Sequence, residues 1–194
     1  MQFAIKDLKD NHSVRAELLR LNNENARETS LLTRERLDGM IASARVATAV
    51  EPGIAFLLGF EQSDNYDGSH FLWFRERLDR FLYIDRIVVS QSQRRLGLGR
   101  LLYEDLFERA QLLGHTNIAC EVNVRPPNPT SDAFHAALGF TEIGTQRSTM
   151  APRRCGISCA ASERRECGPL SICRSIDPVA DHLPRQTVFC PVQQ

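Results

Sequence analysis

The sequence predicts an α/β (α+β) fold, and three observations carry that expectation. Phe81 to Val89 is a nearly unbroken apolar and β-branched run, the pattern of a central strand covered on both faces. From Leu98 onward, Leu101, Leu102, Leu106, Ala110 and Leu113 recur at helical spacing, while Arg100, Asp105, Glu108 and Arg109 make the outer face. Strand-like and helix-like segments alternate along the chain as far as Gln146.

Taken in order, a short strand around Phe3 to Ile5 opens the chain. Leu18, Leu19 and Leu21, then Leu31, Leu32, Leu37, Met40 and Ile41, mark two helices. Thr33 stands at the N-cap of the second, with Arg36 where a capping box would hold Glu. Ala44 to Val50 and Ile54 to Phe60 read as antiparallel strands joined tightly through Glu51-Pro52-Gly53. Residues 61 to 80 are polar and aromatic by turns, which predicts a long loop holding a short helix; such loops in compact domains are usually functional or mobile. The helix after the central strand stops at Gly114. Ile118 to Val124 is the next strand, Pro126 to Pro129 force a turn, Ser131 to Leu138 is a short helix stopped at Gly139, and Phe140 to Ile143 starts a further strand.

With 24 basic and 24 acidic side chains among 194 residues, the chain has no net charge, which argues against an electrostatically driven nucleic-acid binder. No apolar run is long enough to span a bilayer. Charges at Lys6, Asp7, Lys9 and Asp10 stand where a secretory signal needs an apolar region, so a cytoplasmic location is expected. Composition shifts near Gln146: five of six cysteines and five of nine prolines follow it, without helical or strand periodicity. The expected organisation is a domain over residues 1–146 and a poorly structured tail over 147–194. The tail cysteines form no CxxC pair and His182 is the lone tail histidine, so no metal site is expected there.

The chemistry-bearing segment is Val88-Val89-Ser90-Gln91-Ser92-Gln93-Arg94-Arg95-Leu96-Gly97-Leu98-Gly99-Arg100, a strand running through a glycine-bearing loop into a helix. Its physics is anion binding. Gly97 and Gly99 let backbone approach a ligand, helix-start amides suit a pyrophosphate, and Arg94, Arg95 and Arg100 add positive charge. The GxxxxGK[ST] loop is absent and the GxGxxG fingerprint fails at Leu102, so neither nucleotide-fold reading holds.

Arg94-Arg95-Leu96-Gly97-Leu98-Gly99 resembles the R/Q-x-x-G-x-G/A hallmark of the GNAT superfamily of N-acetyltransferases, and Asn128, the following helix and Gly139-Phe140 resemble a second hallmark. The segments FLYIDRIVV, CEVN, PPNP and SDAFHAALGF look like a bacterial-type subfamily of predicted acetyltransferases. The resemblance covers roughly residues 3 to 146. It implies a mixed sheet whose two central parallel strands splay apart, and acetyl transfer from acetyl-CoA to a primary amine, either a small molecule or a protein amino group. By the same resemblance, backbone groups of Ile87, Val88 and Val89 would pair with the pantetheine arm, amides from Arg94 to Arg100 (through Leu96, Gly97, Leu98 and Gly99) would hold the pyrophosphate, and Asn128 would sit near the pantetheine. A strand amide, that of Val88 or a neighbour, would stabilise the oxyanion. Many GNAT domains pair, so a homodimer is allowed.

Acid and base stay open at this level. Many family members carry Tyr four residues before the Gly of Gly-Phe; His135 occupies that position and is a candidate general acid, with a helix-surface role as the alternative. Tyr103 reads as a packing residue of its helix. Asp85 or Glu121 could accept the amine proton, directly or through water, although Asp85 could instead pair with Arg86 or Arg125. Trp73, Phe74 and Tyr66 either line the acceptor side or pack in the core. The strand that closes GNAT domains is expected to be missing after Arg147, leaving an exposed edge; a non-catalytic acyl-CoA-binding module or inactive variant is therefore the alternative function.

Overall fold

A computed structural model describes residues 3–147 and 152–159, with side chains as far as Thr145. The elements are β1 (Ile5–Asp7), α1 (Arg15–Glu24), α2 (Ala26–Thr29), α3 (Arg34–Ser43), β2 (Val46–Val50), β3 (Ala55–Glu61), α4 (Ser69–Arg75), β4 (Leu82–Val89), α5 (Leu98–Leu112), β5 (Asn117–Asn123), α6 (Pro129–Ala137), β6 (Thr141–Arg147) and β7 (Pro152–Cys159). They build one seven-stranded sheet in the order β1-β2-β3-β4-β5-β7-β6. Every pairing is antiparallel except β4 with β5.

The apolar face of each helix decides where it packs. Leu18, Leu37 and Ile41 of α1 and α3 join Phe71 and Phe74 of α4 on one face of the sheet, around Phe56 and Tyr83. Leu98, Leu102, Tyr103 and Leu106 of α5 cover the other, against Leu57, Leu82 and Ile118. Thr33 caps α3, its hydroxyl oxygen accepting from the Arg36 amide at 3.2 Å. The expected loop over 61–80 does contain a short helix, α4.

Three departures from the sequence expectation bear on the site. First, the closing strand is present: β7 lies between β5 and β6 and pairs with both, so the expected bare edge is filled. A strand hydrogen-bonded on two sides is held by its backbone, which no side-chain periodicity announces. The sheet thus runs past residue 146 to Cys159, while residues 160–194, with the rest of the tail expectation, lie outside the described residues. Second, β4 is not a regular strand. Leu58 pairs with Arg86 but Gly59 with Ile84, leaving Asp85 as an extra residue in a bulge. Side-chain alternation resets there, so Tyr83 and Val88 belong to one core face and Ile84 and Ile87 to the other. Third, the β4–β5 pairing runs only from Leu82–Ile118 to Ile84–Cys120, and past it the two strands part.

Candidate active site

The cleft opens where β4 and β5 separate. Ile84, Asp85, Arg86 and Ile87 form one wall and Cys120 to Asn123 the other; Glu28 and Thr29 of α2 lie at one end, and Tyr103, Asn128, Ser131 and His135 line the remainder. Among the described residues, the β5-facing edge of β4 has no strand partner past Ile84; the Ser90 amide donates to the Ile54 carbonyl, so by alternation Val88 bonds toward β3 while the backbone groups of Ile87 and Val89 face the cleft, in position to bond an extended ligand.

The loop after β4 is shaped for an anion. Arg95 and Gly97 both have left-handed backbones, with φ of 67° and 79°. Gly97 is the N-cap of the 15-residue α5 without a side-chain cap, so the amides of Leu98, Gly99 and Arg100 face the helix mouth without intrahelical acceptors. A Cβ on Gly97 would meet nothing within 4 Å, so the space beside it is open to a ligand. Gly99 also has a packing role: a Cβ there would press on the Phe134 ring at 3.2 Å, so its lack of a side chain serves the close packing of α5 on α6. Arg94 reaches back to the α1–α2 elbow, donating from Nη2 to Asn25 Oδ1 at 3.0 Å.

The two candidate bases are brought to the same cleft in unequal states. Asp85 receives the Tyr66 hydroxyl on one oxygen and Arg86 Nε on the other at 2.6 Å, and Arg86 Nη1 donates to Asn22 Oδ1 at 2.7 Å. The side chains of Asp85 and Arg86 are 9% and 6% exposed, a buried ion pair of the kind the sequence allowed. Burial works against the Arg86 charge, but the adjacent Asp85 carboxylate outweighs it and holds the guanidinium above its usual value. The Tyr66 hydroxyl is pushed well above the usual phenol range by burial and by the Asp85 charge. Glu121 accepts from the Tyr83 hydroxyl at 2.5 Å, and its other oxygen lies 3.7 Å from His70 Nδ1. His70, from α4, went unrecognised in the sequence because its approach to Glu121 crosses 51 positions of chain that only folding closes.

His135 is not a surface residue. Its Nε2 meets the Tyr103 hydroxyl at 2.7 Å, and Nδ1 meets the Ser131 carbonyl oxygen at 2.7 Å. Burial lowers the imidazole below its ordinary value, so the ring rests neutral near pH 7. A carbonyl only accepts, so the ring proton sits on Nδ1 and Nε2 accepts from Tyr103. In this resting tautomer His135 has no proton to give through Nε2, and Tyr103, read from the sequence as packing, carries the adjoining hydroxyl. Asn128 lines the cleft while its side-chain oxygen caps α6 at the Ser131 amide, 3.1 Å away. Trp73 and Phe74 do not line the cleft: Phe74 is buried against Phe81 and Tyr83, and Trp73 carries the Arg77 guanidinium 4.2 Å above its ring.

Residues 50–140, which hold the unpaired β4 edge, the loop and α5, match the model of the acetyltransferase (GNAT) family. This chain has the GNAT acetyltransferase fold. Solved structures with the same GNAT fold include Ard1 from Thermoplasma volcanium (TM-score 0.65, 14% identity, 82% of this chain and 98% of that one). The ribosomal-protein-S18-alanine N-acetyltransferase from Escherichia coli is similar at TM-score 0.60 and 17% identity, over 85% of this chain and 98% of its own. A third, yncA from Salmonella typhimurium, a putative acetyltransferase described with its cofactor acetyl-CoA, is similar at TM-score 0.60 and 13% identity, over 84% and 96%. No curated protein matches the sequence. Among the described residues, no helix is long and apolar enough to cross a membrane, and no group of three or more His, Cys, Asp or Glu could hold a metal.

Proposed function

We propose that this protein is an acetyl-CoA-dependent N-acetyltransferase acting on a primary amine, a small molecule or a protein amino group, by direct attack. The observation that carries this reading is the parting of β4 and β5 directly beside the left-handed Arg95–Gly97 loop and the open mouth of α5. Acetyl-CoA supplies an activated thioester. The β4 backbone from Ile87 to Val89 orients its pantetheine arm, the amides from Arg94 to Arg100 hold the pyrophosphate, and Asn128 lies beside the arm. The amide of Ile87 or Val89, the neighbours of Val88 on the cleft-facing edge, stabilises the oxyanion that forms on attack, since Val88 itself bonds toward β3.

Glu121 is the better placed acceptor for the amine proton. Protonating Asp85 would leave the buried Arg86 guanidinium without its counter-charge, whereas Glu121 stands between Tyr83 and His70, neither a permanent cation. Asp85 therefore acts by holding Arg86 and Tyr66 in place. The alternative, an acyl-CoA-binding module without turnover, loses one of its supports because β7 completes the sheet.

Calorimetric titration of acetyl-CoA into the full-length chain tests the reading, with an Arg95→Glu, Gly97→Asp double variant as control. Binding in the micromolar range that the variant loses is the expected result. No binding by folded wild-type protein overturns it, and binding without acetyl transfer in a broad amine screen selects the alternative.

A further inference from the structure

Tyr103 and His135 come from different helices, α5 and α6, and meet at the cleft wall beside Cys120, the last β5 residue paired with β4. The Tyr103 ring is fixed by edge contacts with Phe134, Phe140 and the His135 imidazole. At its far side the imidazole is held by Ser131, whose carbonyl oxygen lies 2.7 Å and whose hydroxyl lies 3.2 Å from Nδ1. The orientation of the ring is thus set, and one variable remains, the proton on Nε2. With Nε2 bare, Tyr103 donates to it. With Nε2 protonated, the ring donates to the Tyr103 oxygen and the phenolic proton is turned away from the ring, toward the cleft.

We propose that His135 and Tyr103 form a two-residue proton relay to the leaving thiolate, resting on the acetyl-transfer reading above. As the carbon–sulfur bond breaks with its electron pair on sulfur, the Tyr103 hydroxyl proton passes to sulfur and the His135 Nε2 proton passes to the Tyr103 oxygen. Both side chains end neutral. His135 rests neutral and is charged within the turnover: the one proton that Glu121 takes from the amine nitrogen crosses the shared cleft to His135 Nε2 before the carbon–sulfur bond breaks, so the overall transfer is from nitrogen to sulfur and Glu121 ends ionised. The relay avoids a free phenolate, which burial makes costly at Tyr103. Tyr103 is the catalytic residue of the pair by this reasoning, and Ser131 is a positioning residue. Charged and titratable neighbours that bias the pair are Asp132 on α6, near His135, and Cys120 and Glu121 on β5, near Tyr103.

By microscopic reversibility the same pair accepts the proton of bound coenzyme A, giving a thiolate and a protonated His135. The ultraviolet absorbance of the thiolate, titrated against pH in the coenzyme A complex of the full-length chain, reads this without any acceptor. Ionisation is expected at lower pH in the wild-type complex than in those of Tyr103→Phe or His135→Gln, by about 1 pKa unit or more. Equal titrations in all three complexes overturn the relay while leaving the acetyl-transfer reading intact. Failure of the wild-type protein to bind coenzyme A overturns both. Tyr103→Phe keeps every ring contact, so it decides the matter even if His135→Gln fails to fold.

Discussion

Asp85 and Glu121 illustrate how neighbours give two like residues different surroundings, a buried ion pair for one and a hydroxyl and an imidazole for the other. Asp85 carries the charge that makes a buried Arg86 tolerable, so Asp85→Asn is expected to cost about 3–5 kcal/mol of stability in a denaturant titration. Asp85→Asn combined with Arg86→Gln should recover part of that loss, because the second change removes the uncompensated charge. Glu121→Gln, by contrast, is expected to lower kcat by about 100-fold or more with little change in acetyl-CoA affinity, once an acceptor is in hand. Two buried histidines give the stability of the domain a pH dependence of known sign. Burial lowers His115 and His135 below the ordinary 6.5, although Glu61 opposes it at His115 and the Ser131 backbone opposes it at His135. Below that value the unfolded chain binds protons that the folded chain refuses, so stability is fully present above about pH 6.5 and falls as pH drops toward the lowered values. Urea midpoints measured from pH 7.5 to 5 should decline, and His115→Gln should flatten part of that decline.

At the scale of elements, the two glycines of the loop separate binding from folding. Gly97 has a left-handed backbone beside open space, and Gly99 abuts the Phe134 ring. Gly97→Asp puts a carboxylate at the proposed anion site and is expected to weaken coenzyme A binding by about 10-fold or more, readable by calorimetry. Gly99→Leu should instead lower the melting temperature, because overpacking between α5 and α6 costs about 1–3 kcal/mol. The β4 bulge is the other decisive element. By inserting Asp85 between Ile84 and Arg86 it turns Arg86 toward Asn22 on α1 and ends regular pairing near the point where β5 departs.

For the whole molecule, β7 joins β5 to β6 in the described sheet. It pairs with β5 along Asn117–Asn123 and with β6 from Thr141 to Arg147, so it holds the second half of the sheet together. A chain ended at Arg147 would expose the long β5 edge and is expected to aggregate, whereas one ended at Cys159 retains every strand seen among the described residues. Light scattering and melting of the two truncations compare them directly; equal solubility would mean that β7 contributes little to the fold.

Most of the fold was legible in the residues because burial leaves a periodic mark. The run from Phe81 to Val89, the apolar spacing of α5 and the capped start at Thr33 each correspond to an observed element. The glycine-bearing loop after β4 was legible for a similar reason, since Arg95 and Gly97 sit in a local backbone pattern that a short stretch of sequence encodes. What the sequence left open depends on contacts between distant segments. It did not foresee β7, whose place is set by hydrogen bonds from two neighbours rather than by side-chain pattern. The bulge escaped it too, because one extra residue shows only in the register with β3. Proton chemistry was hardest to read: Tyr103 and His135, 32 positions apart, and Tyr83 and Glu121, 38 apart, become partners only when helices and strands are stacked. Sequence determined most of the elements and the glycine-bearing loop after β4 by local periodicity and backbone preference; tertiary structure alone decided which acids, bases and hydroxyls are hydrogen-bonded to one another, because that requires distances below 3 Å between segments the chain keeps far apart.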